Sequence, residues 1–155
     1  MVGINYLIGG DNDPQAVVGS KTNLNWLREK FGLPIDYEIY HANATKLSLK
    51  EHKIDYLVTE PFLGKQTPNL KKIDNLYLGL EKLYLGAFKN WRQFLKPDAK
   101  IVIIFPAWPE KPSLNFQNLI DKLNQIGYTT LSEPLVYARE NAQVVRTIWQ
   151  FKYKG

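Results

Sequence analysis

The chain has 155 residues, 45% hydrophobic and 13% aromatic, which is enough apolar material for the core of one domain, and neither Gly nor Pro clusters as in a linker. With no cysteine and two well-separated histidines, His41 and His52, disulfides and thiolate metal sites are excluded and no metal centre is expected. A formal charge of +5, from 20 Lys and Arg against 15 Asp and Glu, suits a polyanionic partner such as RNA and equally suits a soluble surface.

No stretch approaches the roughly 18 apolar residues of a membrane span, and the opening MVGINYLIGGD lacks the basic start of a secretion signal. A cytoplasmic protein without membrane contact is therefore expected.

In chain order, Ile4 to Ile8 reads as a short strand. Asp13 then supplies an N-cap and Pro14 a first helical residue. The following helix places Val17, Leu24, Leu27 and Phe31 on one face and stops at Gly32 and Pro34. Strands are expected at Tyr37 to His41 and at Ile54 to Val58, the latter running into the turn Thr59-Glu60-Pro61-Phe62-Leu63-Gly64.

From Asp74, the apolar positions through Leu95 predict a long amphipathic helix, stopped before Pro97, and Ile101 to Phe105 reads as a strand buried on both faces. On this reading Trp26, Tyr84 and Trp91 are core residues on helical faces. Ser113 is placed as the cap of a third helix that ends at Gly127. Tyr128 to Tyr137 and Val144 to Tyr153 then close the chain as an antiparallel pair.

This alternation predicts an α/β fold: an open, mostly parallel sheet with helices on both faces and a C-terminal antiparallel hairpin. Ligands of such sheets bind beyond the carboxyl ends of the strands. Asp11, Asn43, the Thr59 to Gly64 turn and the Pro106-Ala107-Trp108 loop are thereby candidates for one rim.

With those residues in place, the chain resembles the catalytic domain of Rossmann-like S-adenosylmethionine-dependent amino-methyltransferases, most of all the THUMP-associated family acting on the exocyclic amine of guanosine in tRNA. GGDNDPQAV with TNLNWL is similar to the family's second strand and its helix, and HANATKL to the end of its third strand. VTEPFLG resembles its catalytic turn and LVYARENAQVVRTIWQF its closing hairpin.

The resemblance implies that Asp11 accepts hydrogen bonds from the cofactor ribose, that Asn43 stands where the family has an aspartate facing the adenine amino group, and that Thr59 lies beside the cofactor. Asp11 and Asn43 also have a plainer reading, as capping or turn residues. In the turn, Glu60 would accept a proton of the target amine, with the Pro61 backbone beside it and Phe62 stacking on the base. Leu63, Gly64, Lys65 and Trp108 would border the substrate, and Lys71 and Lys72 would add positive charge toward an RNA backbone.

The turn departs from the family's Asp-Pro-Pro-Tyr-Gly: Glu60 is longer by a methylene, Phe62 replaces the second proline and Leu63 the tyrosine. A plain strand-to-loop turn with a structural Glu-Pro is the alternative. The family's glycine-rich first strand has no counterpart in the 155 residues, so the chain is expected to be a partial methyltransferase domain, residues 1–155, with its first strand missing. An upstream-encoded chain could supply that strand. Methylation of adenine in DNA or RNA, and a noncatalytic nucleic-acid-binding or subunit module, are the competing functional readings.

Overall fold

The computed structural model describes residues 6–32, 34, 36–49, 52–65, 68–140 and 142–155. It divides into two compact units, Met1–Leu47 and Ser48–Gly155.

The first unit contains β1 (Tyr6–Asp11), α1 (Pro14–Phe31) and β2 (Asp36–His41). The two strands are parallel, in register from Tyr6 against Asp36 to Asp11 against His41. The first strand lies later than its sequence pattern suggested, and Ile4 falls outside the described residues. Gly9 faces Ile39 so closely that a Cβ would come within 2.6 Å of the Ile39 Cδ1, so the absent side chain is what lets Ile39 lie across β1.

The α1 start follows its sequence signals. Asp13 accepts the Gln15 N–H at 2.9 Å, and Pro14, which has no N–H to satisfy, opens the helix. Gly32 closes it at φ 59°, a left-handed value that glycine adopts without strain. Val17 is buried with Leu24 and Leu27 half-buried, but Phe31 is 57% exposed and Trp26 51% exposed. Trp26 follows Val17 by nine residues, half a revolution of the helix, and so points away from the covered face. There it meets Phe31 edge to face, with the Lys30 ammonium 4.7 Å from its ring centre.

The second unit contains β3 (Ile54–Thr59), a 3-10 turn (Leu70–Lys72), α2 (Ile73–Trp91), β4 (Leu95–Ala107), α3 (Gln117–Gln125), β5 (Tyr128–Thr130), β6 (Leu135–Tyr137) and β7 (Val145–Tyr153). The sheet order is β3-β4-β7-β5, and β6 also pairs with β7. The β3 and β4 strands are parallel, whereas β7 is antiparallel to all its partners.

Three boundaries differ from the sequence expectation, each for a local reason. The α2 helix ends at Trp91, and Leu95 already pairs with Ile54; Pro97 and Asp98, the latter at φ 65°, lie in an irregularity where β4 has more residues than β3. The proline is therefore absorbed by a bulge and does not act as a helix stop.

The α3 helix starts at Gln117, because Phe116 is drawn into the core and the Asn115 Oδ1 accepts the Gln117 N–H at 3.1 Å; Ser113 plays no capping part. The expected strand from Tyr128 to Tyr137 is broken into β5 and β6 around Pro134, which cannot donate to the ladder.

The core lies between one face of the sheet and the two helices. Ile101, Ile103, Phe105 and Phe151 are fully buried against Leu80, Tyr84, Phe88, Leu119 and Leu123. Tyr84 stacks on Phe105 at 5.0 Å and Phe88 meets Phe151 at 5.4 Å, each such ring contributing about 1.5–3 kcal/mol through burial. Glu81, nearly buried, ties the helices together by accepting from the Asn118 amide at 2.9 Å and the Lys122 ammonium at 2.6 Å.

The β4 strand is not buried on both faces as its composition suggested. Val102 and Ile104, on the side away from the helices, are half-buried, and the same side of the sheet carries the exposed Tyr56, Val58, Lys100 and Leu135.

Candidate functional site

In the first unit, Asp11 ends β1 and Asn43 follows β2 by two residues, so the parallel pairing brings both to adjacent strand ends. The Asp11 carbonyl accepts the Ala42 N–H at 2.8 Å, which fixes the two ends against each other. One carboxylate oxygen of Asp11 accepts the Asp13 N–H at 2.8 Å, and the other has no protein partner among the described residues. An exposed carboxylate with an open oxygen can receive a ribose hydroxyl.

The Asn43 Oδ1 accepts both the backbone N–H and the hydroxyl of Thr45, each at 2.8 Å. Its two lone pairs are thus engaged, which leaves the amide hydrogens as the groups it can still offer. His41 is held to the Asn12 carbonyl at 3.0 Å.

In the second unit, Thr59 ends β3 and the turn that follows is fixed at three points. The Glu60 Oε1 accepts the Arg146 Nε–H at 2.8 Å, an ion pair reaching across from β7. The Phe62 carbonyl accepts the Tyr84 hydroxyl at 2.8 Å. Burial pushes the Tyr84 phenol well above its ordinary value of 10.0, so it remains an O–H donor.

The third point is Gly64, at φ 89°, a conformation that favours glycine; a Cβ there would lie 2.8 Å from the Leu76 Cδ2. Between these anchors the Phe62 ring is 62% exposed, Pro61 and Leu63 are half-buried, and Lys65 is exposed. The turn therefore offers a held carboxylate and an open aromatic face, the two surfaces that a planar polar ring needs.

Trp108 follows β4, the strand beside β3, but its side chain is only 2% exposed and packs near Tyr77 and Phe116. Its indole N–H has no hydrogen-bond partner among the described residues. Lys71 and Lys72 are exposed in the 3-10 turn.

The charge is unevenly divided. Residues 1–47 hold 4 Lys and Arg against 5 Asp and Glu, whereas residues 48–155 hold 16 against 10, so the whole basic surplus lies in the second unit. Two contributors to the turn escaped the sequence reading. Arg146 was visible as a lone cation among the apolar residues of VVRTIWQF, and Tyr84 was read only as core, since nothing local to it indicates a hydroxyl aimed at a distant carbonyl.

Among the described residues, no helix is long and apolar enough to cross a membrane. Residues 2–107 match the family model UPF0020, described as RMKL-like, methyltransferase domain. No curated protein sequence matches the chain.

Solved structures with a similar fold include TrmN from Thermus thermophilus (TM-score 0.52, 16% identity), which shares 96% of this chain but only 44% of its own length. An rRNA methylase from Streptococcus thermophilus aligns at TM-score 0.56 and 11% identity, over 98% of this chain and 88% of its own. The N-methyltransferase NodS from Bradyrhizobium japonicum, solved with S-adenosyl-L-homocysteine, aligns at TM-score 0.60 and 13% identity, over 98% of this chain and 79% of its own.

Proposed function

The chain belongs to the RMKL-like methyltransferase domain family, and from that premise we propose that residues 1–155 form a partial methyltransferase domain that methylates an exocyclic amine of a nucleic-acid base, with guanosine in tRNA as the target. The observation that carries this reading is the fixed turn after β3, where an ion-paired Glu60 and an exposed Phe62 flank Pro61. The methyl donor is S-adenosylmethionine, which supplies an electrophilic methyl group. The rRNA methylase, whose name speaks of RNA methylation, is consistent with a nucleic-acid substrate.

In this proposal Asp11 holds the ribose of the donor through its open carboxylate oxygen. Asn43 donates to an adenine ring nitrogen, since its own oxygen is taken by Thr45. The target amine is a weak nucleophile because its lone pair is delocalised into the base. Glu60 accepts one of its hydrogens and the Pro61 carbonyl the other, which localises the lone pair for attack. Phe62 stacks on the base, Leu63 and Gly64 shape the floor beneath it, Trp108 backs the pocket from the protein interior, and Lys65 meets a phosphate.

The glycine-rich strand of the family has no counterpart among these residues, so a strand from outside them completes the donor site. In support, β1 pairs only with β2 and β3 only with β4 among the described residues, and Val58 on β3 is 76% exposed. The setting for tRNA processing is the cytoplasm.

The test is transfer of labelled methyl from S-adenosylmethionine to total tRNA, with and without the polypeptide encoded immediately upstream. Label in N2-methylguanosine supports the proposal. Binding to RNA that weakens with salt, without donor binding or transfer in either condition, would establish the noncatalytic reading instead.

A further inference from the structure

We infer that the Glu60–Arg146 ion pair is the device that selects guanine over adenine and cytosine at this turn. The inference rests on the reading of the turn as the target-base site. Its ground is the contact from the Arg146 Nε–H to the Glu60 Oε1 at 2.8 Å. One of the five donors of the guanidinium is used in this contact, and no other protein partner is described for the remaining four. Both side chains are partly open to solvent, at 45% for Glu60 and 36% for Arg146, so a base can reach both.

Arg146 owes its place to the register: it lies opposite Pro106 of β4 on one side and Tyr137 of β6 on the other, at the end of the sheet where β3 runs into the turn. The pairing leaves the second oxygen of Glu60, and one lone pair on the first, free as acceptors.

The edge of guanine presents an oxygen acceptor, then N1–H and the N2 amine as two neighbouring donors. A carboxylate beside a guanidinium is its complement: the carboxylate receives the two donors and the guanidinium gives to the oxygen. Adenine and cytosine present an amine next to a bare ring nitrogen. A carboxylate can accept from that amine, but its other oxygen then faces a lone pair; sliding so that the guanidinium donates to the ring nitrogen gives either base two hydrogen bonds where guanine makes three. A side-chain amide in place of Glu60 could turn its NH2 toward the ring nitrogen. An acid at position 60, held in orientation by an arginine, is thus a discriminating choice. The third hydrogen bond, made between charged and polar groups, is what separates guanine from the other bases.

The experiment titrates the whole chain with GMP, AMP and CMP, which share ribose and phosphate and differ only in the base. Backbone signals of residues 60–64 and the Arg146 Nε–H signal are followed by 1H–15N NMR. The expected result is a GMP affinity at least about tenfold above those of AMP and CMP, with the Arg146 Nε–H shifting on GMP. In E60Q, which conserves size, the GMP preference falls to within about threefold, and in R146M GMP binding weakens.

Equal affinities in the unaltered chain, or a preference untouched by E60Q, would overturn the selection by this pair while leaving the turn as a base site. If no nucleotide shifts residues 60–64, the reading of the turn as a base site falls, and the selection falls with it.

Discussion

Tyr84, in the middle of α2, donates its buried hydroxyl to the main-chain carbonyl of Phe62, so a core helix holds the backbone of the turn that carries the candidate chemistry. Removing only that oxygen, in Tyr84→Phe, costs about 1 kcal/mol in chemical denaturation. It releases the turn, and on the proposed function methyl transfer drops about tenfold or more at unchanged donor affinity.

Gly64 is the second restraint on the turn. A Cβ at φ 89° is strained and also meets Leu76 at 2.8 Å, so Gly64→Ala destabilises the second unit by about 1–3 kcal/mol. Leu76→Ala on the same background relieves the clash and not the backbone strain, so thermal melts of the double variant should recover part of the loss and not all of it.

Phe62 is exposed, and little of the fold depends on it. Phe62→Ala should leave the melting profile within about 0.5 kcal/mol of the parent. Affinity for the nucleic acid should weaken by about 1–3 kcal/mol, the usual worth of one stacked base, and Phe62→Trp should restore it. Filter binding to tRNA at fixed salt provides the comparison.

Alkaline pH weakens the second unit in a predictable direction. Burial raises the phenols of Tyr84 and Tyr128 above their ordinary value of 10.0; Tyr128 donates its hydroxyl to the Phe88 carbonyl at 2.8 Å. The folded state holds these protons to higher pH than the unfolded chain does. Stability is therefore fully present below pH 10 and falls as pH rises above it, at up to about 1.4 kcal/mol per pH unit for each group. Urea midpoints between about pH 9 and pH 11 test this. Tyr128→Phe should flatten the slope relative to the parent, and an unchanged slope would refute the assignment.

For the donor side, Asp11→Asn retains an oxygen to accept the Asp13 N–H but loses the charge that strengthens a ribose contact. On the proposed function, affinity for S-adenosylmethionine should fall about tenfold or more, while unfolding of the chain is little affected.

The helix-strand alternation and the position of the turn were legible in the sequence because they rest on local signals: Asp13-Pro14 before α1, Gly32 after it, and the strand that runs into Thr59. What escaped it depends on partners distant in the chain. Pro97 looked like a stop, but the register of β3 against β4 gives it a bulge to occupy. Phe31 continued an apolar periodicity and Trp26 was aromatic, yet both are exposed, since pattern alone does not say how far the opposing surface extends. Arg146 follows Glu60 by 86 residues, and only the antiparallel return of β7 beside β4 brings the two together. The candidate groups were picked by residue type, but their hydrogen-bond allegiance, such as Asn43 given over to Thr45, is a property of folded geometry.

Placing both α2 and α3 on one side of the second unit's sheet makes residues 48–155 a slab with two unlike surfaces, one dry and one bearing Val58, Val102, Ile104, Ile148 and Leu135 toward solvent or half-covered. Such a slab is an amphiphile. In dilute buffer it will light up environment-sensitive dyes such as ANS, crowd onto air-water interfaces and call on chaperones during synthesis. Mild non-ionic detergent should keep it dispersed where salting-out ions drive it together.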